Sequence, residues 1–246
     1  MQLFDFAYCE AFYKQLNILA TMSPEKWSFG DENDNSILKS YIFHTFERLY
    51  DKHKVVETDN YAIFNTGLFD IYYKPLFAYF TPNSNQDRQR WALAGFITDF
   101  QRVTIGITDI PERANYFDNP ADLVFDTHLD IKPQYDHIFG EKENFERLPA
   151  SIQQNPMRQV LFDGAIDQTK RMLEANYKTA VPQFYNGKLQ LLVPICLEEP
   201  HTPSVALTCE KDETGKNYIA STCLTMDMAY NNARLIAKPE SEWLHA

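Results

Sequence analysis

Residues 36–50, SILKSYIFHTFERLY, carry the most regular pattern in the chain and are the starting point for its fold. Apolar side chains recur here once per helical turn, a spacing that predicts an α-helix, and Asn35 or Ser36 can cap its beginning. The residues of this stripe are Ile37, Leu38, Tyr41, Ile42, Phe46 and Leu49. The segment therefore predicts a helix that buries one face.

Short aromatic and β-branched runs come after this helix. They cover residues 61–64, 76–80 and 91–97, and turn residues such as Asn65-Thr66-Gly67 and Thr81-Pro82-Asn83 separate them. Short runs of this composition, separated by turns, are typical of strands that pair with their neighbours along the chain. We therefore expect an antiparallel meander.

The C-terminal half predicts a second long helix and more strands. Residues 157–179 form the helix, and strands lie at 189–195, 204–210 and 218–224. The apolar positions of the predicted helix include Met157, Val160, Leu161, Ala165, Met172 and Ala175. Strands before and after a long helix indicate the α+β class, with mostly antiparallel sheet and two main helices packed against it.

No internal repeat and no linker rich in Pro, Gly or Ser divides the chain. We therefore interpret residues 1–35 as an N-terminal lead-in segment and residues 36–246 as a single α+β domain.

Charge and cysteine content limit the possible partners. Acidic residues outnumber basic ones, 34 to 23, which gives a formal net charge of −11. Because a protein that wraps duplex DNA needs a basic footprint, we expect no such binding, while a pocket for one nucleotide or one RNA end stays possible. The four cysteines form no C-x-x-C pair, which disfavours a zinc knuckle and suits reduced thiols. Without a signal peptide or an apolar run of about 18 residues, we expect a cytoplasmic protein with no membrane partner.

The densest polar cluster is RANYFDNPADLVFDTHLDI, residues 113–131. If residues 125–131 form a strand, Asp126, His128 and Asp130 point to one face. Two carboxylates and an imidazole together are candidates for acid–base catalysis or for binding a divalent metal ion, the one cofactor that the sequence suggests. The alternative is a solvated strand face. Arg113 can hold a phosphate by two hydrogen bonds, or it can tie down the loop.

Two further segments are candidates for ligand binding. Residues 225–234, TMDMAYNNAR, offer an aromatic ring, two amides and a guanidinium that can stack on a base or bind its edge and phosphate. The candidates are Tyr230, Asn231, Asn232 and Arg234. The alternative is a polar turn before a short C-terminal helix. Asn65 can orient a ligand beside Gly67, whose missing side chain permits close approach, although Asn65-Thr66-Gly67 can equally be a turn.

Four segments of the chain resemble one known family. FHTFERLY, YAIFNTGL, RANYFDNPADLVFDTHLDI and LTMDMAYNNARLIAKPESEWL are together similar to domain of unknown function 3825, from about residue 36 to the C-terminus. In other chains this domain is often attached to cold-shock or OST-HTH modules, which bind RNA. The resemblance therefore implies a role near RNA or nucleotides in a microbial stress or conflict system, but it supplies no established reaction or catalytic residues.

These observations support two hypotheses. The first is a domain that binds a nucleotide or an RNA end. It can be extended to a phosphoesterase, in which Asp126, His128 and Asp130 are catalytic. Its ligand-binding residues are Arg113, Asn65, Tyr230, Asn231, Asn232 and Arg234. The alternative is a non-catalytic interaction or inhibitor protein with an acidic, aromatic-rich surface. The first predicts that these residues converge in one pocket, and the second that they scatter and an exposed aromatic patch is present.

Overall fold

The computed structural model describes residues 1–246 and divides into two compact units. Unit 1 is Met1–Asn115 together with Ala246, and unit 2 is Tyr116–His245. The boundary falls inside the polar motif 113–131, where no linker composition marks it. The single domain over residues 36–246 stays a prediction, because two compact units can still unfold together as one cooperative domain.

Unit 1 contains four helices and one five-stranded sheet. In chain order its elements are α1 (Leu3–Phe6), β1 (Ala7–Tyr8), α2 (Phe12–Met22), α3 (Ser36–Asp51), β2 (Val56–Glu57), β3 (Ala62–Phe69), β4 (Pro75–Pro82), β5 (Trp91–Thr98) and α4 (Asp99–Thr104). The strand order is β1-β5-β4-β3-β2, in which β1 pairs parallel with β5 and all other pairs are antiparallel. The predicted lead-in segment is therefore an integral part of this unit, since it contributes an edge strand and α2.

The core of unit 1 is aromatic. The helix α3 buries the six apolar residues that its spacing predicts, and it packs against β3. The Phe46 ring lies 5.5 Å from that of Phe64, and the Phe64 ring lies 5.9 Å from that of Phe80. The predicted meander is confirmed as β3, β4 and β5.

Unit 2 contains five helices and a second five-stranded sheet. In chain order its elements are β6 (Asp130–Pro133), α5 (Tyr135–Gly140), α6 (Lys142–Glu146), α7 (Ala150–Gln153), α8 (Arg158–Ala175), β7 (Val181–Tyr185), β8 (Lys188–Ile195), β9 (Val205–Lys211), β10 (Asn217–Leu224) and α9 (Met226–Arg234). Two short 3-10 helices lie at Pro120–Leu123 and Tyr177–Thr179. The strand order is β6-β10-β9-β8-β7, with β6 parallel to β10.

The helix α8 is where the sequence predicts it, but its apolar face is rotated. It buries Phe162, Ile166 and Leu173 in the core of unit 2. Of the predicted stripe, Met157 and Val160 are exposed. Leu161 is exposed as well, whereas Ala165 of the predicted stripe is buried, so the stripe that packs in the core is the neighbouring one that carries Phe162.

The α+β class is confirmed, but each sheet is mixed rather than mostly antiparallel, because one short edge strand joins in parallel. Both units also have the same strand order: the first strand lies beside the last, and a four-stranded meander completes the sheet. This structural repeat leaves no visible repeat in the sequence. None of the nine α-helices has the length and apolar character needed to cross a membrane.

Candidate functional site

The predicted strand over residues 125–131 is wrong, because β6 begins only at Asp130. Residues before it form a turn in which one carboxylate oxygen of Asp126 accepts hydrogen bonds from the backbone N–H of His128, at 3.0 Å, and from its Nδ1, also at 3.0 Å. The backbone N–H of Asp126 donates to the hydroxyl oxygen of Tyr218, whose ring stacks on Phe125 at 4.1 Å. A short polar side chain that bonds the backbone two residues ahead favours such a turn over a strand.

The three candidate catalytic residues therefore do not share a strand face. Asp130 pairs instead with Lys132, at 3.1 Å, and with Lys170, at 3.4 Å. The hydrogen bond from the His128 backbone lowers the pKa of Asp126, and the hydrogen bond from Lys132 lowers the pKa of Asp130. Both carboxylates are thus held as anions by protein partners. No group of three or more His, Cys, Asp or Glu side chains is placed to hold a metal ion, so these residues do not fit the suggested divalent metal.

In unit 1, the structure brings Arg113 beside the stretch of β3 that contains Asn65 and Gly67. The amide nitrogen of Asn65 donates to the carbonyl oxygen of Pro111 at 3.0 Å, and its oxygen accepts from the Gly67 N–H at 3.0 Å. The guanidinium of Arg113 donates to the carbonyl oxygen of Gly67 and lies 4.8 Å from the centre of the Phe69 ring. Asn65 is buried, and both its amide nitrogen and its amide oxygen have protein partners, so its role here is to hold the segment after α4.

Gly67 is required for a packing reason rather than for a ligand. Its φ of +77° lies in the left-handed region, and a Cβ at this position would meet the hydroxyl oxygen of Tyr41 at 2.6 Å. The close approach that the sequence suggested is thus made by a tyrosine of α3.

The four candidates at residues 230–234 lie on α9, which the Thr225 side chain caps. Tyr230 is buried and cannot present its ring for stacking on a base. The Oδ1 of Asn231 is buried and accepts no hydrogen bond, whereas the Nδ2 of Asn232 donates to Gln183 at 3.1 Å. Arg234 is half-buried. A short C-terminal helix is therefore present, as the alternative had it, but these residues form the helix itself rather than a polar turn before it.

Asn232 is the first member of a chain of side-chain hydrogen bonds that crosses the sheet of unit 2. Gln183 on β7, which has 0% exposure, donates to Gln190 on β8 at 2.8 Å. Gln190 donates to Glu210 on β9 at 3.2 Å, and Glu210 accepts from Lys188 at 2.7 Å. Because each buried amide has a partner, this chain fixes the register of the strands beneath α9.

A cavity of about 220 Å³ lies at the C-terminal end of α9. Its walls come from the 3-10 turn at Pro120–Leu123 and the residue after it, from the chain between α8 and β7, and from α9 with the segment after it. The lining residues are Leu123, Val124, Tyr177, Lys178, Ala180, Val181, Pro182, Ala233, Ala237, Lys238, Pro239, Glu240 and Ser241. The two motifs at 113–131 and 225–234 thus meet here, through residues other than the predicted ones.

Two hydrogen bonds fix the outer wall of the cavity. The hydroxyl of Ser241 donates to the carbonyl oxygen of Lys178 at 2.7 Å, and the indole N–H of Trp243 donates to that of Thr179 at 2.8 Å. The walls are mainly apolar, Tyr177 is 63% exposed, and the side chains of Lys178 and Lys238 form no ion pair. The lining thus combines an apolar slot, which suits a planar or apolar group, with three charged residues that form no ion pair: Lys178, Lys238 and Glu240.

Sequence reasoning did not identify Tyr177, Lys178 and Lys238. The weak signal that was present is the break of helical periodicity at Asn176, after which an aromatic residue and a lysine stand together. Lys238 comes after α9 in the segment AKPES, which has the composition of an ordinary polar tail. The position of these residues beside the cavity depends on contacts between segments about 60 residues apart, which local patterns do not encode.

Unit 1 exposes an apolar surface at one end of its sheet. Phe100 on α4 is 79% exposed, and Tyr72 and Tyr73 at the tip of the β3–β4 hairpin are also exposed. The tip and α4 lie at the same end because Leu76 pairs with Thr98, the last residue of β5. Exposed aromatic patches of this kind are common at protein–protein interaction sites.

A protein-family model, described as Domain of unknown function (DUF3825), matches residues 19–243. The match begins within α2 and covers nearly all of both units, so it extends further towards the N-terminus than the four resembling segments. No curated protein and no solved structure matches the chain.

Proposed function

We propose that this chain, which belongs to the DUF3825 family, binds a nucleotide or an RNA end in the cavity of unit 2 beside α9. The observation that carries the proposal is the cavity itself, which is mainly apolar, is lined by an exposed tyrosine and has two lysines against one carboxylate, Glu240, among its lining residues. The link to RNA-binding modules that the resemblance implies stays a prediction.

The size and chemistry of the cavity suit one nucleotide. Its volume of about 220 Å³ corresponds to roughly seven water molecules at about 30 Å³ each, enough for a base and part of a ribose. The base would lie between the apolar walls, while Lys178 and Lys238 would hold the phosphate outside. Asn231, whose buried Oδ1 lacks a donor, stays a candidate for a further contact on the same helix.

Hydrolysis is not included in this proposal. Asp126 and His128 bond each other in a turn, Asp130 is occupied by lysines, and none of the three lines the cavity. A general base must reach the group that it deprotonates, and the carboxylate that lines the cavity belongs to Glu240, not to any of the three predicted catalytic residues.

The test is a thermal-shift and calorimetric screen with nucleoside monophosphates and dinucleotides. A ligand at 100 times its Kd adds about 2.7 kcal/mol to the stability of the folded protein, which raises the Tm by a few degrees. Lys178→Glu and Lys238→Glu should abolish that shift, because each places a negative charge where the phosphate would lie.

Lys14→Glu is the matched control, since Lys14 is an exposed lysine of unit 1 that forms no ion pair. It should leave the ligand-induced shift unchanged. If all three variants bind the nucleotide as tightly as the unmodified protein, the nucleotide does not bind in this cavity. If no nucleotide binds at all, the proposed function is wrong.

Non-catalytic protein interaction is a second candidate function, and the exposed surface of unit 1 favours it. Phe100, Tyr72 and Tyr73 present their rings to solvent at one end of the sheet. A nucleotide screen without response would make this surface the better explanation, and Phe100→Ser should then reduce capture of a partner without lowering the Tm.

A further inference from the structure

The exposed apolar surface at the end of the sheet of unit 1 is built from two parts of the chain. The first part, the hairpin half, is the tip between β3 and β4, residues 71–74, and its exposed apolar side chains are Ile71, Tyr72 and Tyr73. The second part, the helix half, is residues 100–110, which cover α4 and the segment after it. Its exposed apolar side chains are Phe100, Val103, Ile105 and Ile110.

The fold holds the two halves together. Leu76 pairs with Thr98, which brings the hairpin beside the start of α4. Arg102 donates to the carbonyl oxygens that follow α4 and so keeps the later part of the helix half against the helix. Ile107 packs with Phe77 of β4 beneath it. The surface is therefore formed before a partner arrives, which lowers the entropic cost of binding.

The surface is large enough for a stable interface. Aromatic side chains have about 150–250 Å² of surface each, so its three exposed rings alone offer roughly 500 Å². With the four aliphatic side chains, the area exceeds the largest apolar patch of a typical monomer, which is about 300–600 Å². It approaches the roughly 800 Å² that each partner contributes to an interface of standard size.

This end of unit 1 carries no net charge, although the chain as a whole carries −11. Two of its carboxylates are neutralised by ion pairs, Asp99 with Arg102 and Glu112 with Lys54. The other charged residues of 70–74 and 99–113 are two carboxylates and two cations, namely Asp70, Asp109, Lys74 and Arg113. A second copy of this acidic chain can therefore approach here without the repulsion that the net charge causes elsewhere.

Two of these four charges have no partner within the protein. Asp70 accepts hydrogen bonds from two backbone N–H groups of its own turn, and Arg113 donates to Gly67. The side chains of Lys74 and Asp109 form no hydrogen bond and no ion pair. The hairpin half thus carries an unpaired cation, and the helix half carries an unpaired anion.

We propose that this surface is the interface between two copies of the chain, in which the hairpin half of each copy lies on the helix half of the other. A twofold interface uses the same surface of both copies, so that every contact occurs twice. Lys74 of each copy then faces Asp109 of the other, and the two halves are complementary in charge. The inference does not depend on the proposed function, because the cavity belongs to unit 2.

Analytical ultracentrifugation of the full chain tests the interface. At about 1 to 100 μM, the chain should form a species of twice its mass of 28.7 kDa. Tyr72→Ser and Phe100→Ser should each raise the Kd of the dimer roughly tenfold or more, because aromatic side chains dominate the binding energy of interfaces. Tyr185→Ser is the matched control, since Tyr185 is an exposed tyrosine of unit 2, and it should leave the Kd unchanged. All three variants should keep the Tm of the monomer, because each replaces an exposed side chain.

Charge reversal identifies the occupant of the surface. Lys74→Glu alone and Asp109→Lys alone each place like charges opposite each other at both contacts, so each variant should be mainly monomeric. In an equimolar mixture of the two variants, both contacts again join opposite charges, and the dimer should return. A different protein partner cannot produce this recovery.

A chain that stays monomeric over this range of concentration would overturn the inference. A dimer that is insensitive to Tyr72→Ser and Phe100→Ser would do the same, as would a mixture of the charge variants that stays monomeric. If the chain is monomeric and Phe100→Ser lowers capture of another protein, the surface serves that protein and not a second copy. None of these results decides whether a nucleotide binds in the cavity, which the thermal-shift screen measures separately.

Discussion

The two units have the same strand order, and they differ in the segment that succeeds the last strand. In unit 1, β5 leads into α4, whose buried Arg102 binds the carbonyl oxygens of Ile107, Thr108 and Asp109. In unit 2, β10 leads into α9, and the segment after it forms one wall of a cavity. The same position in the topology is thus closed by an internal cation in one unit and borders a cavity in the other.

This difference shows that topology alone does not indicate which unit carries a site. Both sheets supply a stable frame, and the chemistry depends on the connecting segments at their ends. In unit 1 the polar side chain of Asn65 on β3 already bonds groups of the protein itself. In unit 2 the lysines at the cavity form no ion pair within the protein.

The largest effect that we expect comes from removing the internal cation of unit 1. Arg102 also donates to Asp99, at 2.7 Å, and has 3% exposure. Arg102→Ala should lower the free energy of unfolding by about 3 to 5 kcal/mol, because it leaves Asp99 and three carbonyl oxygens without their donor. Urea denaturation measures the loss, and hydrogen exchange should localise it to residues 99–111.

The control for this substitution is Arg88→Ala, which removes an exposed arginine of the same unit and should cost less than about 1 kcal/mol. If Arg102→Ala lowers the free energy of unfolding no more than the control does, the segment after α4 does not depend on the hydrogen bonds from Arg102. The proposed contrast between the two units, in the segment that comes after the last strand, would then not hold.

A smaller effect is expected for the polar chain of unit 2. Gln183→Ala leaves the amide nitrogen of Asn232 and the amide oxygen of Gln190 without their partners beneath α9. The expected loss in the free energy of unfolding is about 1 to 3 kcal/mol, the usual cost of an unsatisfied buried polar group. Gln159→Ala on the exposed side of α8 is the control and should be close to neutral. A neutral Gln183→Ala would show that water replaces the lost partner.

Much of the fold could be predicted from regular patterns. The stripe on α3 and the meander β3–β5 were predicted because helical and strand periods are local properties of the sequence. The rotated face of α8 was not predicted, since two apolar stripes compete and only the sheet decides between them. The parallel edge strands were also missed, because β1 has only two residues and β6 only four.

The candidate site was less accessible to prediction, for a physical reason. Alternation of charged residues at 126, 128 and 130 is typical of a strand, but a carboxylate can also bond the backbone two residues ahead and form a turn. Both motifs that the sequence singled out border the cavity, but the residues that line it are not the predicted ones. The prediction selected polar residues in these motifs by their chemistry, but several of them, such as Asn232, form hydrogen bonds within the protein.

The smallest effect that we expect compares the two threonines that begin the helices after the last strands. Thr98 accepts from the backbone of Gln101 at 3.2 Å, and the Gln101 side chain accepts from the Thr98 N–H at 2.9 Å, whereas Thr225 makes a single bond of 3.4 Å to the N–H of Met228. Thr98→Ala should therefore cost about 1 kcal/mol of unfolding free energy, and Thr225→Ala less. Serine at either position keeps the hydroxyl and should restore most of the loss. If Thr225→Ala lowers the free energy of unfolding more than Thr98→Ala does, α9 depends on its cap more than α4 does. The helix beside the cavity would then be fixed at its N-terminal end as firmly as Arg102 fixes the segment after α4.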